Sequence, residues 1–280
     1  MSDYEKLTNG PVADYHVHPD YSCDGHGSLD EWCQRAFNIG LSEICFTPHF
    51  EANPVCDEVD AYLHINGQRE PLSAETIQIF LDDVNRCFTE YGRIGLLVRG
   101  GLEFGYYPGW EKQAANIQSK VKLHYRLGGL HSDGDLTYCG KEEAIKLFKR
   151  HKLETMADRY FSALDKMVAS GLIDCLAHID IYRKHGYDFY GPAVETVHRG
   201  RIEKLFETML KHDVGYEINT SAIRHGLDEY YPRMEIVNMA REAGVHLIAL
   251  GSDAHRPEDM ALDFDFASSM AYELRPYVDE

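Results

Sequence analysis

Seven short apolar runs recur along the chain, and most are separated by stretches with helical periodicity. They cover about residues 12–17, 43–47, 94–103, 125–130, 172–177, 214–218 and 245–250. Strands that alternate with helices must return through a crossover, so they lie parallel in one sheet. The 280 residues are the length of one α/β barrel and enough to bury a sizeable core. Neither Gly-x-Gly-x-x-Gly nor Gly-x-x-x-x-Gly-Lys-Ser/Thr occurs. A closed barrel is therefore expected over an open nucleotide-binding sheet.

Local signals support the alternation. Ser28 can cap a helix, and Glu31 three residues on completes a capping box; that helix runs to about Ile39 and stops at Gly40. A second helix is expected over about 73–91, with Ile77, Phe80, Leu81 and Val84 on one face. Further helices are expected over about 110–121, 141–169, 193–212 and 232–243, the last ending at Gly244. Residues 51–72 are polar and irregular, with Pro54, Gly67 and Pro71. They read as a long loop, either a lid over one end of the fold or a surface insertion without a role. No repeat, linker or low-complexity segment interrupts residues 1–280, so one domain is the simplest reading.

What stands at the C-terminal ends of these strands carries the chemistry. His16 and His18 are two apart, so a strand aims both imidazoles at one point. Asp24 follows, and the later strands end in His49, Glu103, His131, His178, Asn219 and the pair Asp253/His255. In a parallel barrel these ends share one face. Of the 15 histidines, six fall there. Such side chains are rare at buried positions unless they are paired or hold metal. Six histidines and three carboxylates exceed what one zinc needs. They suit two or three divalent ions with shared carboxylates, the usual equipment for phosphoester hydrolysis. Zinc, iron and manganese all suit a mixed nitrogen and oxygen donor set. His26 could substitute for Asp24, and His185 and His225 lie near the same face.

Charge and cysteine content narrow the partners. A net charge of −18 argues against nucleic acid and anionic membranes. The seven cysteines form no Cys-x-x-Cys pair and read as reduced thiols. The first residues lack a signal-peptide pattern, and no apolar run approaches the roughly 20 residues of a membrane span. A cytoplasmic protein is expected.

Taken in order, these motifs resemble the polymerase-and-histidinol-phosphatase (PHP) superfamily. The resemblance rests on His16-Val17-His18 with Asp24, Thr47-Pro48-His49, Gly101-Leu102-Glu103, His131, Ala177-His178 and Ser252-Asp253-Ala254-His255. Pro48 departs from the family's usual Asp before that His. Within the superfamily the chain is most similar to histidinol-phosphate phosphatases, through Tyr160-Phe161, Ala177-His178-Ile179-Asp180 and the stretch Glu217 to Arg224.

The resemblance implies a distorted TIM-like (β/α)7 barrel with three metals. By analogy His16, His18, Glu103 and Asp253 hold the first ion. Glu103 bridges to a second held by His131 and His178, and Asp24, His49 and His255 hold the third. It also implies hydrolysis of a phosphomonoester, L-histidinol phosphate first, by a metal-bridging hydroxide. Arg183 and Arg224 follow strands five and six and are expected to clamp the phosphate, with Lys184 a weaker candidate. Asp253 or His255 is the candidate to pass a proton to the leaving group. Three rivals remain at this point. One is a PHP phosphoesterase for another small phosphate, a phosphotyrosine protein or a nucleotide. The second is an amidohydrolase, and the third a non-catalytic metal- or phosphate-binding module.

Overall fold

A computed structural model describes residues 13–55 and 61–274. The first strand, β1 (Ala13–Val17), lies parallel to β2 (Glu43–Phe46). The helix between them, α1 (Leu29–Asn38), starts at the Ser28/Glu31 capping box and stops before Gly40, whose φ of 82° suits a residue without a Cβ. Its buried face is Leu29, Trp32, Cys33 and Ala36, spaced one helical turn apart.

The chain then makes β3 (His49–Phe50), an antiparallel hairpin of β4 (Tyr62–Ile65) and β5 (Gln68–Pro71), and α2 (Ala74–Gly92). Part of the expected loop over 51–72 is therefore ordered as a hairpin; residues 56–60 of that loop, with Cys56, lie outside the described residues. Its turn is Asn66-Gly67, with φ of 52° and 75°. That two-residue turn is the strongest short-range hairpin signal a sequence carries. Leu63 and Ile65 are buried beneath it, so the segment packs as structure.

The remaining elements complete the barrel. They are β6 (Leu97–Gly105), α3 (Glu111–Gln118), β7 (Tyr125–Gly129), the short hairpin β8 (Ser132–Asp133) and β9 (Leu136–Thr137), α4 (Lys141–Arg150) and α5 (Leu153–Ala169). After them come β10 (Cys175–Leu176), α6 (Arg183–Tyr190), α7 (Ile202–His212), β11 (Gly215–Asn219), α8 (Ser221–Arg224), α9 (Met234–Ala243), β12 (Leu247–Gly251) and α10 (Phe264–Leu274). Strand five is thus shorter than expected. The helix expected over 193–212 begins at Ile202, after a 3₁₀ turn at Gly191–Thr196.

The seven barrel strands run in the order β1-β2-β6-β7-β10-β11-β12, all parallel. The ring nearly closes where His18 N donates to the Ala254 carbonyl and Asp253 N to the His16 carbonyl, both at 2.8 Å. Asp14, fully buried, stitches the same seam by accepting from Ser252 N at 3.0 Å and Ala261 N at 3.1 Å. The expected seven-stranded α/β barrel is present. Among the described residues no helix is long and apolar enough to cross a membrane.

A small inner core of Cys45, Tyr125, Leu127, Cys175, Ala177 and Ala249 is separate from the larger layer between strands and helices. Tyr15 packs on it, edge-on to Tyr125. Immediately after Tyr15 comes His16. The register explains this neighbourhood: Asp14 pairs with Ile44 and Val17 with Phe46, so β1 advances three residues while β2 advances two. Such a bulge re-aims a side chain, and bulges concentrate beside active sites.

Candidate metal centre

The C-terminal ends of the barrel strands bring the nine candidate donors together. Backbone register places one pair directly: His49 on β3 stands opposite Glu103 on β6, and His49 Nδ1 lies 2.9 Å from Glu103 Oε2. The depth of the site comes from β1 and β6. His16, His18 and Glu103 are fully buried, whereas the Asp24 side chain is 52% exposed at the mouth.

Three groupings share this space. In the deepest, Glu103 Oε2 is 3.3 Å from His16 Nε2 and 3.5 Å from His18 Nε2. Asp253 Oδ1 is 3.5 Å and 3.3 Å from the same two nitrogens. In the second, Glu103 Oε1 lies 3.0 Å from His131 Nε2 and 3.1 Å from His178 Nε2. In the outermost, Asp24 Oδ2 lies 3.6 Å from His49 Nε2 and 3.2 Å from His255 Nε2, with His18 beside them.

The donor set fits a cation. A tetrahedral ion with bonds of about 2.0–2.2 Å sets its ligand atoms about 3.3–3.6 Å apart, the spacing of the deepest group. Among the described residues, buried His16 Nε2, His18 Nε2, His49 Nδ1 and Glu103 Oε2 have no hydrogen-bond partner. Converging lone pairs without a shared proton or cation repel, and buried polar atoms left unpaired are costly. Electrostatics agree. Burial pushes Glu103 up, but His131, His16 and His49 hold it well below the usual carboxylate range. Asp253 is held low against burial by the neighbouring imidazoles of His16, His18 and His255. Burial, with His49 and His255 alongside, pulls His18 down to about 3 and leaves it a neutral ring with a free lone pair. His178 and Asp253 both have positive φ, 24° and 51°, a conformation rare outside glycine that concentrates at functional sites.

Two supporting carboxylates carry no role in the sequence reading. Glu217, fully buried, accepts from His16 Nδ1 at 2.9 Å and from His178 N at 3.1 Å. It also takes Asn219 Nδ2 at 2.7 Å, which explains the Asn at that strand end. By accepting at Nδ1 it turns His16 Nε2 toward the centre. Glu51 does the same for His131 Nδ1. Both had a signal. Glu217 is a charged residue inside an apolar strand, and Glu51 alternates with His49 along one short extended segment. Gly129 is a further requirement: a Cβ there would sit 2.5 Å from His131 Nε2 and 2.6 Å from Glu103 Oε1.

A cleft of about 510 Å³ opens over the donors. Arg224 lines it, anchored through Nη2 to the Ser252 carbonyl at 2.6 Å and the Asp253 carbonyl at 3.0 Å, while Nη1 has no partner among the described residues. Arg183 does not line it. Its guanidinium is 1% exposed and bonds Glu195 Oε2 at 3.1 Å, the Tyr230 carbonyl at 3.2 Å and Asp180 Oδ2 at 3.3 Å. Arg183, expected to clamp the phosphate, is thus packed between α6, which starts at this residue, and the chain before α9, whereas the next residue, Lys184, lines the cleft. Lys184 has no carboxylate partner among the described residues. His225 lines the cleft too; burial holds it down to about 4, and its Nδ1 lies 3.4 Å from the Tyr231 hydroxyl. His26 and His185 stand outside the donor groups, His185 Nε2 meeting the Cys139 carbonyl at 3.1 Å.

Comparison with known proteins matches this architecture. The PHP domain model covers residues 14–221, and the chain belongs to the PHP domain family. A Deinococcus radiodurans protein named "Probable histidinol-phosphatase" is 27% identical over 253 residues, covering 90% of both chains. The Lactococcus lactis histidinol-phosphatase is 21% identical over 248 residues, covering 86% of this chain and 83% of that one. The crystal structure of a Lactococcus lactis histidinol phosphate phosphatase, complexed with zinc, L-histidinol and phosphate, superposes with a TM-score of 0.73 at 17% identity. It covers 94% of this chain and 93% of its own, and it shows the same fold.

Proposed function

We propose that this chain is a metal-dependent phosphomonoesterase acting on L-histidinol phosphate. The observation that carries the reading is one cleft holding both the nine-donor centre and an arginine with a free, buried Nη1. The histidinol-phosphatase names of relatives that align over most of this chain favour the particular substrate.

In this reading His16, His18, Glu103 and Asp253 would hold one divalent ion, Glu103, His131 and His178 a second, and Asp24, His49 and His255 a third. Zinc, iron or manganese ions bound there supply positive charge for phosphoryl oxygens and acidify water toward neutrality. The chain's own part is positioning and charge. Arg224 is fixed through Nη2 beside Asp253, so Nη1 meets a phosphate oxygen without first having to be ordered. Lys184 adds a second, more mobile cation on the cleft wall. His255 donates from Nδ1 to the Asp253 carbonyl at 3.1 Å and turns Nε2 to Asp24 at 3.2 Å, where it would serve as a ligand. His225 is the imidazole on the cleft wall outside the donor set.

The test is phosphate release from L-histidinol phosphate beside sugar phosphates, nucleotides and a phosphotyrosine peptide, with zinc, manganese or iron supplied in turn. Preference for histidinol phosphate by orders of magnitude in kcat/KM supports the reading. Preference for another ester keeps the chemistry and removes the substrate. No turnover with any metal overturns the enzyme reading.

A further inference from the structure

Among the described residues four carboxylates line the cleft over the candidate metal centre: Asp24, Glu51, Asp253 and Asp259. Three are engaged by imidazoles. Asp24 meets His49 and His255, Glu51 meets His131, and Asp253 meets His16 and His18. Asp259 is different. Its carboxylate has no hydrogen bond or ion pair among the described residues, yet it is half-buried on the cleft wall.

Its backbone is not free to wander. The turn Pro257–Asp259 closes with Asp259 N on the Arg256 carbonyl at 3.0 Å. Immediately after it Met260 is buried to 1% and Ala261 N donates to Asp14 Oδ2 at 3.1 Å. A rigid turn therefore presents an unused negative charge to the same space that Arg224 and Lys184 make positive. A carboxylate held in place without a partner is a ready acceptor for an ammonium or imidazolium donor, and a charge-assisted bond there is stronger than a neutral one.

We propose that Asp259 is the specificity-determining acid of this cleft, binding the cationic end of a zwitterionic phosphomonoester whose phosphate lies toward Arg224. The inference rests on the phosphatase reading above and deepens it. It assigns the site to small esters that carry a protonated nitrogen, and against sugar phosphates of similar size.

Two measurements test it. The first is calorimetric binding of L-histidinol, which carries the cation and no phosphate, and of inorganic phosphate, which carries the reverse, to metal-loaded protein. In Asp259→Asn the L-histidinol affinity falls roughly tenfold to a hundredfold while phosphate affinity holds, and Asp259→Glu recovers part of the loss. The second is the ratio of kcat/KM for L-histidinol phosphate over glycerol phosphate, which falls in Asp259→Asn by the same factor. Unchanged L-histidinol binding in Asp259→Asn overturns the inference. So does a parallel loss of L-histidinol and phosphate binding, since that marks a structural role. Wild-type protein that binds L-histidinol through Asp259 but hydrolyses no ester overturns the phosphatase reading and leaves this one standing.

Discussion

Arg183 and Arg224 both follow a barrel strand in the sequence and end in opposite surroundings. Arg183 is a buried tie between Asp180 and Glu195, and removing one partner of such a group strands the others. Arg183→Met is expected to lower stability by about 3–5 kcal/mol, read from denaturant or thermal unfolding. Arg224 Nη1 has no partner among the described residues, which leaves it open to the proposed phosphate. Arg224→Ala is expected to leave the melting temperature within a few degrees and to lower kcat/KM roughly tenfold to a hundredfold. If the two variants lost stability equally, the distinction would be wrong. Glu217 makes the same kind of point for the candidate metal ligands. Because it orients His16 and braces His178 N, Glu217→Gln is expected to weaken metal affinity by about 10- to 100-fold, measured by competition with a chromogenic chelator.

At the scale of elements, the β4–β5 hairpin matters because of what it holds. His64 N donates to the Tyr21 carbonyl at 3.0 Å, and the Tyr62 hydroxyl to the Cys23 carbonyl at 3.3 Å. The hairpin thus braces the loop that carries Asp24, the most exposed of the candidate donors. Gly67 sits at φ 75° in its turn, where a β-branched side chain costs about 1–2 kcal/mol. Gly67→Val is expected to melt earlier and to lose the ion near Asp24 first. Metal content after stepwise dialysis checks this: equal loss of every ion would show that the hairpin does not act through that loop. The Asn66-Gly67 pair was legible as a turn between two strand-like segments, but the surrounding Pro54 and Pro71 and the polar flanks masked it. Leu63 and Ile65 count as strand residues only once a surface is there to bury them.

For the whole molecule, the seam between β1 and β12 is where pH enters. Burial raises Asp14 from 3.8 to about 6, against the backbone donors of Ser252, His16 and Ala261. An acid whose folded pKa is raised binds its proton more tightly when folded. Its contribution to stability is therefore greatest below the unfolded value and is lost as pH rises from about 4 to about 6. Relative to Asp14→Asn, which cannot ionise, wild-type stability is expected to fall by up to about 3 kcal/mol across that window and then level off. Parallel pH curves for the two proteins would rule this out. Metal removal acts on the same closed ring, because the donors come from strands all around it. Chelation is expected to lower the melting temperature, and added zinc, manganese or iron to restore it in a concentration-dependent way, since ions that bind only the folded chain stabilise it.

The sequence by itself determined the alternation of strand and helix, the α1 capping box, the parallel sheet and which nine candidate donors stand at its strand ends. These are legible because they follow from local spacing: period two in a strand, a turn of helix, and polar residues where an apolar run stops. The tertiary structure decided what depends on distant partners. It buried Arg183 and left Lys184 on the cleft wall, although the two are adjacent in the chain. It recruited Glu217 and Glu51 behind the histidines, which required strands far apart in sequence to meet. Among the described residues it left Asp259 as the cleft carboxylate without a partner, a property of its neighbours that no spacing encodes. Whether a charge is free, paired or buried is set by what surrounds it, and that is fixed only when the barrel closes.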